Sequence, residues 1–245
     1  MAGGAWQHPD RIYGQCSVGF SMDEETGRLT GTLSEYTSYA VDCLGNQTLK
    51  FDIQAYENYE EMLQALQDHE IDMIYYVGRN PDFAEKHGFT LTNAAWTYSL
   101  MAVTDEQHFK ENEVYTVAVP RENEALKQHI VFSYPQWRLV GYDSLPDAAD
   151  MLMNEKADCF LLGTSKALKY DNHRDFNSIP LTKTMEACFA VRNGEGTLLT
   201  ILNKTLKTMP SDMLTSALAI YDSTADKVTF SDFIKDNLPV VFVTS

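Results

Sequence analysis

The chain has 245 residues, enough for one large domain or two lobes of ordinary size. Its 44% apolar fraction is that of a globular protein, and no run approaches the roughly 18 apolar residues that a membrane span needs. A net charge of −16 argues against nucleic acid, whose phosphates demand a basic face; it suits a cationic ligand or serves solubility alone.

The first segment, "MAGGAWQHPDRIYG", lacks the apolar core of a signal peptide and reads as a short lead. A first strand follows, and Phe20, Ser21 and Met22 come after it, where they should edge a cleft. In "GRLTGTLSEYTSYAVDCLGN", Thr32 and Glu35 form a capping box. Leu33, Tyr36, Ala40 and Leu44 then lie on one helix face, and Gly45 is the stop signal.

The next segment, "KFDIQAYENYEEMLQALQDHEIDMIYYVG" from Lys50, is repeated without a gap 86 residues later as "QWRLVGYDSLPDAADMLMNEKADCFLLGT" from Gln136. Phe51, Ile53 and Ala55 alternate as a half-buried strand does, and so do Trp137, Leu139 and Gly141. Asn58 and Ser144 are N-cap residues, with Glu61 and Asp147 three positions on. Met62 and Leu66 mark a helix face that Ala148 and Leu152 repeat. Asp72 and Asp158 each precede an apolar strand that ends at a glycine, Gly78 or Gly163. A strand–helix–strand unit that occurs twice at this distance predicts two similar α/β lobes and not a solenoid, whose repeats are short and adjacent.

Between the copies, "YYVGRNPDF" runs a strand into Gly78, Arg79, Asn80 and a proline. A strand that stops this abruptly often ends at a ligand. Arg79 is then either an anion clamp or a cation that braces a loop. Further on come a strand, "VYTVAV", and a helix opening near Pro120. After the second copy come a helix over Thr164 to Tyr170, strands in "SIPLT" and "EACFAVR", and helices over Thr197 to Met209, Ser211 to Tyr221 and Asp232 to Asp236. The ending "NLPVVFVTS" reads as a last strand, a frayed tail, or the stub of an extracellular piece cut before a membrane helix.

Four cysteines, Cys16, Cys43, Cys159 and Cys188, show neither a CxxC nor a metal-ligand spacing, so buried free thiols are the default; a Cys159–Cys188 bridge requires neighbouring strands. None of the six histidines, His8, His69, His87, His108, His129 and His173, is expected at a strand end facing a cleft. No HExxH, phosphate loop or Ser/His/Asp order appears. An enzyme, a cofactor and a metal site are therefore not expected.

In this order the segments resemble the type II periplasmic solute-binding proteins, the family that includes polar amino-acid receptors. "GRLTG" before a helix resembles the family's approach to its first helix. "YENYEEMLQALQDHEIDMIYYVG" resembles its aromatic–helix–aspartate–strand pattern. "GFTLTNAAW" resembles its Phe-Ser-x-Pro-Tyr segment without the proline, "NEKADCFLLGTSKALKY" its Gly-x-x-Asp-Ala segment, and "ACFAVRNGEG" its return crossing. The likeness covers about Val18 to Tyr221. It implies an α/β fold of two lobes, residues 12–103 plus 192–245 and residues 104–191, each a mixed sheet flanked by helices. It further implies two hinge crossings, near Val103–Thr104 and Val191–Arg192, and a ligand held in the cleft at strand carboxyl ends. The segment "LLTILNKTLKTMPSDMLTSALAIYDSTADKVTFSDFIKDNL" is similar to the end of sensor ectodomains in Firmicutes-type membrane receptors that carry a GGDEF diguanylate cyclase or a histidine kinase. The resemblance implies a non-enzymatic sensory domain at the extracellular face of the membrane. It would bind an amino acid or another small polar metabolite, signal by lobe closure and be tethered to an output domain.

The family's clamps are not where the resemblance would put them. The carboxylate-binding arginine falls on Phe83, the amine-binding aspartate on Gly163, and the Gly-Thr/Ser turn on "VPRENE", where Arg121 opposes Glu122 and Glu124. Ligand candidates by position are Phe20, Met22, Tyr56, Tyr76, Gly78, Arg79, Asn80 and Asn93 from the first lobe and Arg121, Tyr142, Thr164 and Ser165 from the second. Each has a plainer reading: core or rim aromatics for the tyrosines, turn chemistry for the asparagines, helix capping for Thr164 and Ser165. Three alternatives stay open: a transport receptor, a dehydratase-like enzyme on the same fold, and an interaction module that binds no metabolite and dimerises through a lobe surface.

Overall fold

A computed structural model describes residues 20–22, 29–44, 51–54, 56, 58–106, 108–167 and 176–221. The chain divides into two units, residues 18–49 with 210–245 and residues 1–17 with 50–209. In the smaller unit, β1 (Phe20–Met22) pairs antiparallel with β2 (Leu29–Gly31). Next comes α1 (Thr32–Leu44), which buries Leu33, Tyr36 and Ala40, while Leu44 is 38% exposed, so the stripe ends a turn earlier than its spacing predicts. Residues 213–221 are helical.

The larger unit runs α2 (Tyr59–Gln67), β3 (Met73–Gly78), α3 (Pro81–His87), β4 (Phe89–Tyr98) and β5 (Leu100–Thr104). It continues with β6 (Thr116–Pro120), α4 (Glu124–Ser133), β7 (Arg138–Tyr142), α5 (Leu145–Met153), β8 (Cys159–Gly163) and α6 (Thr164–Ala167), and closes with β9 (Asn177–Pro180), β10 (Met185–Arg192) and α7 (Gly196–Thr208). Two sheets result, one of three strands in the order β3-β10-β4 and one of five in the order β7-β6-β8-β5-β9. β6 runs parallel to β7 and β8, while β5 is antiparallel to β8 and β9.

The internal repeat holds down to single hydrogen bonds. Asn58 accepts from the Glu61 amide at 2.8 Å, and Ser144 accepts from the Asp147 amide at 3.3 Å. Both helices end in a non-glycine residue with left-handed backbone, His69 at φ 65° and Glu155 at φ 55°. Glu70 then donates to the Ala65 carbonyl at 2.9 Å, as Lys156 does to Met151 at 2.8 Å. Each copy buries its own core. Leu63, Leu66, Ile74 and Val77 pack with Phe89, Cys188 and Ala190. Ala148, Leu152 and Phe160 pack with Val103, Ala118 and Tyr142.

Several expectations shift. Phe51–Gln54 alternates as a strand would but carries no strand assignment, because alternation alone does not form a ladder. α4 begins at Glu124 and not near Pro120: Pro120 still pairs with Tyr142 in β6, and Asn123 supplies the cap, accepting from the Leu126 amide at 3.0 Å. The chain changes sheet at Ser99 and again between Pro180 and Met185, so β5 and β10 each belong wholly to the sheet they enter, and the crossings do not fall at Val103–Thr104 and Val191–Arg192. Cys159 and Cys188 are buried, free and in different sheets, which rules out their bridge. Burial pushes the Cys188 thiol up to about 11. Cys43 is exposed, because it falls in the last turn of α1, past Ala40, where the buried stripe ends. Gly45, Asp232–Asp236, the terminal segment and Cys16 lie outside the described residues.

Candidate functional site

β3 delivers Gly78 to the first turn of α4, which belongs to the other sheet's half of the unit. The approach needs glycine: a Cβ there would stand 2.1 Å from the Ala125 carbonyl oxygen. Arg79 comes next. Its amide donates to the Glu186 carbonyl at 3.0 Å, extending the β3–β10 pairing. Its guanidinium Nε is hydrogen-bonded to the Glu186 carboxylate, and Nη2 reaches the Thr92 carbonyl at 3.4 Å. Asn80 then caps α3, accepting from the Phe83 amide at 3.0 Å. Its Nδ2 crosses to α4, donating to the Gln128 carbonyl at 3.3 Å and to Gln128 Oε1 at 3.1 Å. At the far end of α3, Gly88 takes φ 76°, a left-handed cap that admits β4.

Further along the same face of α4 is His129, 4% exposed, its Nδ1 3.4 Å from Ser133 Oγ and its Nε2 buried with no hydrogen-bond partner. Burial lowers its pKa to about 4; the Glu186 carboxylate and the Lys183 backbone oppose the shift, and the Lys183 charge adds to it. Beside it opens a cavity of about 300 Å³ lined by Arg79, His129, Phe132, Ser133, Lys183 and Glu186, among others. The Lys183 ammonium is hydrogen-bonded to the Ser133 carbonyl and sits 4.9 Å above the Tyr134 ring. The second crossing is pinned by Glu111, which accepts from the Thr182 amide at 2.7 Å, from its hydroxyl at 2.8 Å and from the Tyr134 hydroxyl at 2.6 Å. Burial first, and the Glu111 bond second, raise the Tyr134 pKa.

The structure thus brings Gly78, Arg79 and Asn80 together against α4. The other expected residues are placed elsewhere. Tyr76 is fully buried with its ring 4.9 Å from Trp96, and Tyr142 is 5% exposed in the second core; both are core residues and not cleft walls. Tyr56 is half-buried and donates to Gln54 Oε1 at 3.2 Å; it ends no strand. Asn93 is exposed, its amide bonded to Asn203 Oδ1 at 2.7 Å. Arg121 turns to Asp143 at 2.8 Å and to the Gly141 carbonyl at 3.1 Å, and the Asp143 carboxylate raises its pKa. Thr164 braces the first crossing, with its hydroxyl 3.2 Å from the Ser99 carbonyl. Ser165 is the second residue of α6, and Phe20 and Met22 lie in β1 of the smaller unit. Gln128, His129 and Glu186 were not legible as site residues. For Gln128 and His129 the one signal was helical spacing, since Ala125, Gln128 and His129 share a face of α4; Glu186, in β10, gave none.

Residues 15–220 match the bacterial extracellular solute-binding proteins, family 3. The chain belongs to this family. No curated protein sequence matches it. Among solved structures, the family fold is matched by the periplasmic VFT2 domain of Bordetella pertussis BvgS at 22% identity, covering 80% of this chain and 85% of that one with a TM-score of 0.57. A substrate-binding protein of an amino acid ABC transporter matches at 17% identity, covering 85% and 91%, TM-score 0.51. An ancestral arginine-binding protein bound to arginine matches at 16%, covering 83% and 92%, TM-score 0.54. At these identities the likeness establishes the two-lobed type II fold. Among the described residues no helix is long and apolar enough to cross a membrane, and no group of three or more His, Cys, Asp or Glu is placed to hold a metal ion.

Proposed function

We propose that this solute-binding domain is the extracellular sensory part of a membrane receptor. A small polar solute, of the amino-acid or organic-acid kind, binds between the two sheets of residues 50–209. The resulting change in their apposition passes to a membrane-attached output domain, a diguanylate cyclase or a histidine kinase. The observation that carries this reading is the convergence of Gly78, Arg79 and Asn80, at the carboxyl end of β3, on α4 of the other half. The BvgS domain is a sensor's periplasmic domain and supports the sensory reading; the transporter and arginine-binding neighbours support a free-standing receptor as the alternative. A third reading, an interaction module, draws on Asn80 and Arg79 having their hydrogen bonds met within the protein.

A thermal-shift screen against amino acids, amines, short peptides, carboxylates, nucleobases and sugars tests the binding step. A solute at about 100 times its dissociation constant adds about 2.7 kcal/mol to stability, several degrees for a chain of this size. Arg79→Ala in the same screen assigns Arg79. The Arg79–Glu186 side chains are 34% and 38% exposed, so the ion pair is screened, and its loss alone is expected to cost under about 1 kcal/mol. A shift that vanishes in Arg79→Ala makes Arg79 a ligand contact; one that survives makes it a brace. Silence across the whole panel counts against binding and favours the interaction module.

A further inference from the structure

We infer that the cavity between the last turn of α4 and the second crossing is the solute's site, and that it takes a small monocarboxylic acid without an ammonium group, a hydroxy acid and not an amino acid. The inference rests on the binding reading above and narrows it to one place and one class. None of the positions where the resemblance would put the family's clamps, Phe83, Gly163 and Arg121, lines this cavity.

The cavity measures about 300 Å³, at the small end of ligand sites. Its walls come from both halves of the unit: Arg79 and Glu186 from the end of β3 and the start of β10, His129 and Phe132 from α4, Lys183 and Thr184 from the crossing. These walls hold donors that lack acceptors. Arg79 spends Nε on Glu186 and Nη2 on the Thr92 carbonyl at 3.4 Å, and its Nη1 meets no acceptor among the described residues. Lys183 gives the Ser133 carbonyl one of its three N–H groups. His129 is 4% exposed with Nε2 unpartnered; with Nδ1 against the Ser133 hydroxyl at 3.4 Å, the neutral ring can carry its proton on Nε2 and donate it. A carboxylate offers acceptors alone, and its bonds to cations are strong ones. Charge decides the class. Arg79 and Lys183 give +2 and Glu186 gives −1, so the lining carries +1, which one carboxylate neutralises. An ammonium group on the same solute would restore the excess. It would stand beside two cations, and the one carboxylate there, Glu186, is already engaged by Arg79. Phe132, 44% exposed, offers the carbon skeleton an apolar wall.

Isothermal titration calorimetry on the wild-type chain at pH 7 compares two pairs of equal skeleton, L-lactate with L-alanine and L-2-hydroxyisovalerate with L-valine. The hydroxy acids are expected to bind about ten-fold or more tightly than their amino-acid partners. Lys183→Gln is expected to weaken the hydroxy acids about ten-fold, as the loss of a hydrogen bond to a charged group does. Lys207→Gln, an exposed change on α7 that does not touch the cavity, leaves them unaltered. Glu186→Gln separates a binding site from a structural brace. It removes the competing carboxylate, raises the lining charge from +1 to +2 and is expected to tighten the hydroxy acids about three-fold or more. A Glu186 that served only to hold Arg79 in place would weaken them when lost. Circular dichroism checks that each variant keeps its helices. Amino acids that bind as tightly as the hydroxy acids overturn the inference. So does a hydroxy acid whose affinity ignores both Lys183→Gln and Glu186→Gln, which would leave a solute-binding domain with its site elsewhere. Silence toward both pairs with a hit among other solutes overturns the class and keeps the receptor; silence toward every solute overturns both. Hydroxy-acid binding with both charge effects but no change in small-angle scattering keeps the site and removes the sensory reading.

Discussion

Phe160→Ala is expected to lower the unfolding free energy by about 3–5 kcal/mol, the range for removing a buried aromatic ring. Phe160 is fully buried in β8, where it pairs with Val103 of β5 on one side and Ala118 of β6 on the other. Its ring meets Phe176 edge-on, with centroids 6.4 Å apart. Met101, Tyr142, Ala148 and Leu152 fill the same core. Neighbours held by strands on both sides cannot move in to fill a void, which puts the cost at the upper part of the range. Phe160→Leu keeps most of the volume and is expected to cost about 1–1.5 kcal/mol. Urea unfolding followed by tryptophan fluorescence measures both. A loss below about 1 kcal/mol for the alanine variant would mean that this core can collapse around the gap. An unchanged urea dependence is expected alongside, since only then does a shifted midpoint report stability.

The repeat was readable from sequence because its determinants are local. An N-cap three residues before an acid, a helix face at spacings of three and four, and an aspartate before an apolar strand all act within one unit. They fixed α2, α5, β3 and β8, and the hydrogen bonds at both helix ends recur at the same offset. The roles of Arg79 and Asn80 were not readable, since their partners are remote in sequence. Glu186 lies 107 residues from Arg79, and Gln128 lies 48 from Asn80. No periodicity links such pairs; they meet only because β10 returns to lie beside β3 and α4 packs on β3. The tyrosines failed for a different reason. Tyr76 and Tyr142 both lie near strand ends, but a strand end can point a ring into the core as readily as into a cleft, and both rings are buried. The exchange of sheets at Ser99 was missed because "TYSLMAVT" holds no glycine or proline and reads as one extended stretch through the crossing. A run of that kind gives no sign of where one ladder stops and the next begins.

Acidification is expected to destabilise the domain through His129 by about 2–3 kcal/mol between pH 7.5 and pH 4.5, beyond any effect of the carboxylates. His129 is held well below the ordinary imidazole value, at about 4, chiefly by burial. The unfolded chain therefore takes up a proton near pH 6.5 that the folded chain refuses until about pH 4. Stability is complete above the unfolded value and is lost as pH falls through that window. His129→Gln removes the titration, so the difference in unfolding free energy between wild type and variant should change by that amount across the window. A flat difference would sink the buried neutral imidazole. The groups around the ring act in both directions, and the Glu186 carboxylate and the Lys183 backbone offset part of the effect of burial. Lys183 repels an imidazolium, Arg79 lines the same cavity, and Glu186, the one attractive charge, is shared with Arg79. There is also an upper limit. A charged His129 can escape to water if α4 lifts from β3, and the penalty then stops growing at the free energy of that opening. A wild-type curve that levels off early therefore measures how firmly Gly78 and Asn80 hold α4. It should level off earlier still in Gln128→Ala, which removes the bond from Asn80 to Gln128 Oε1.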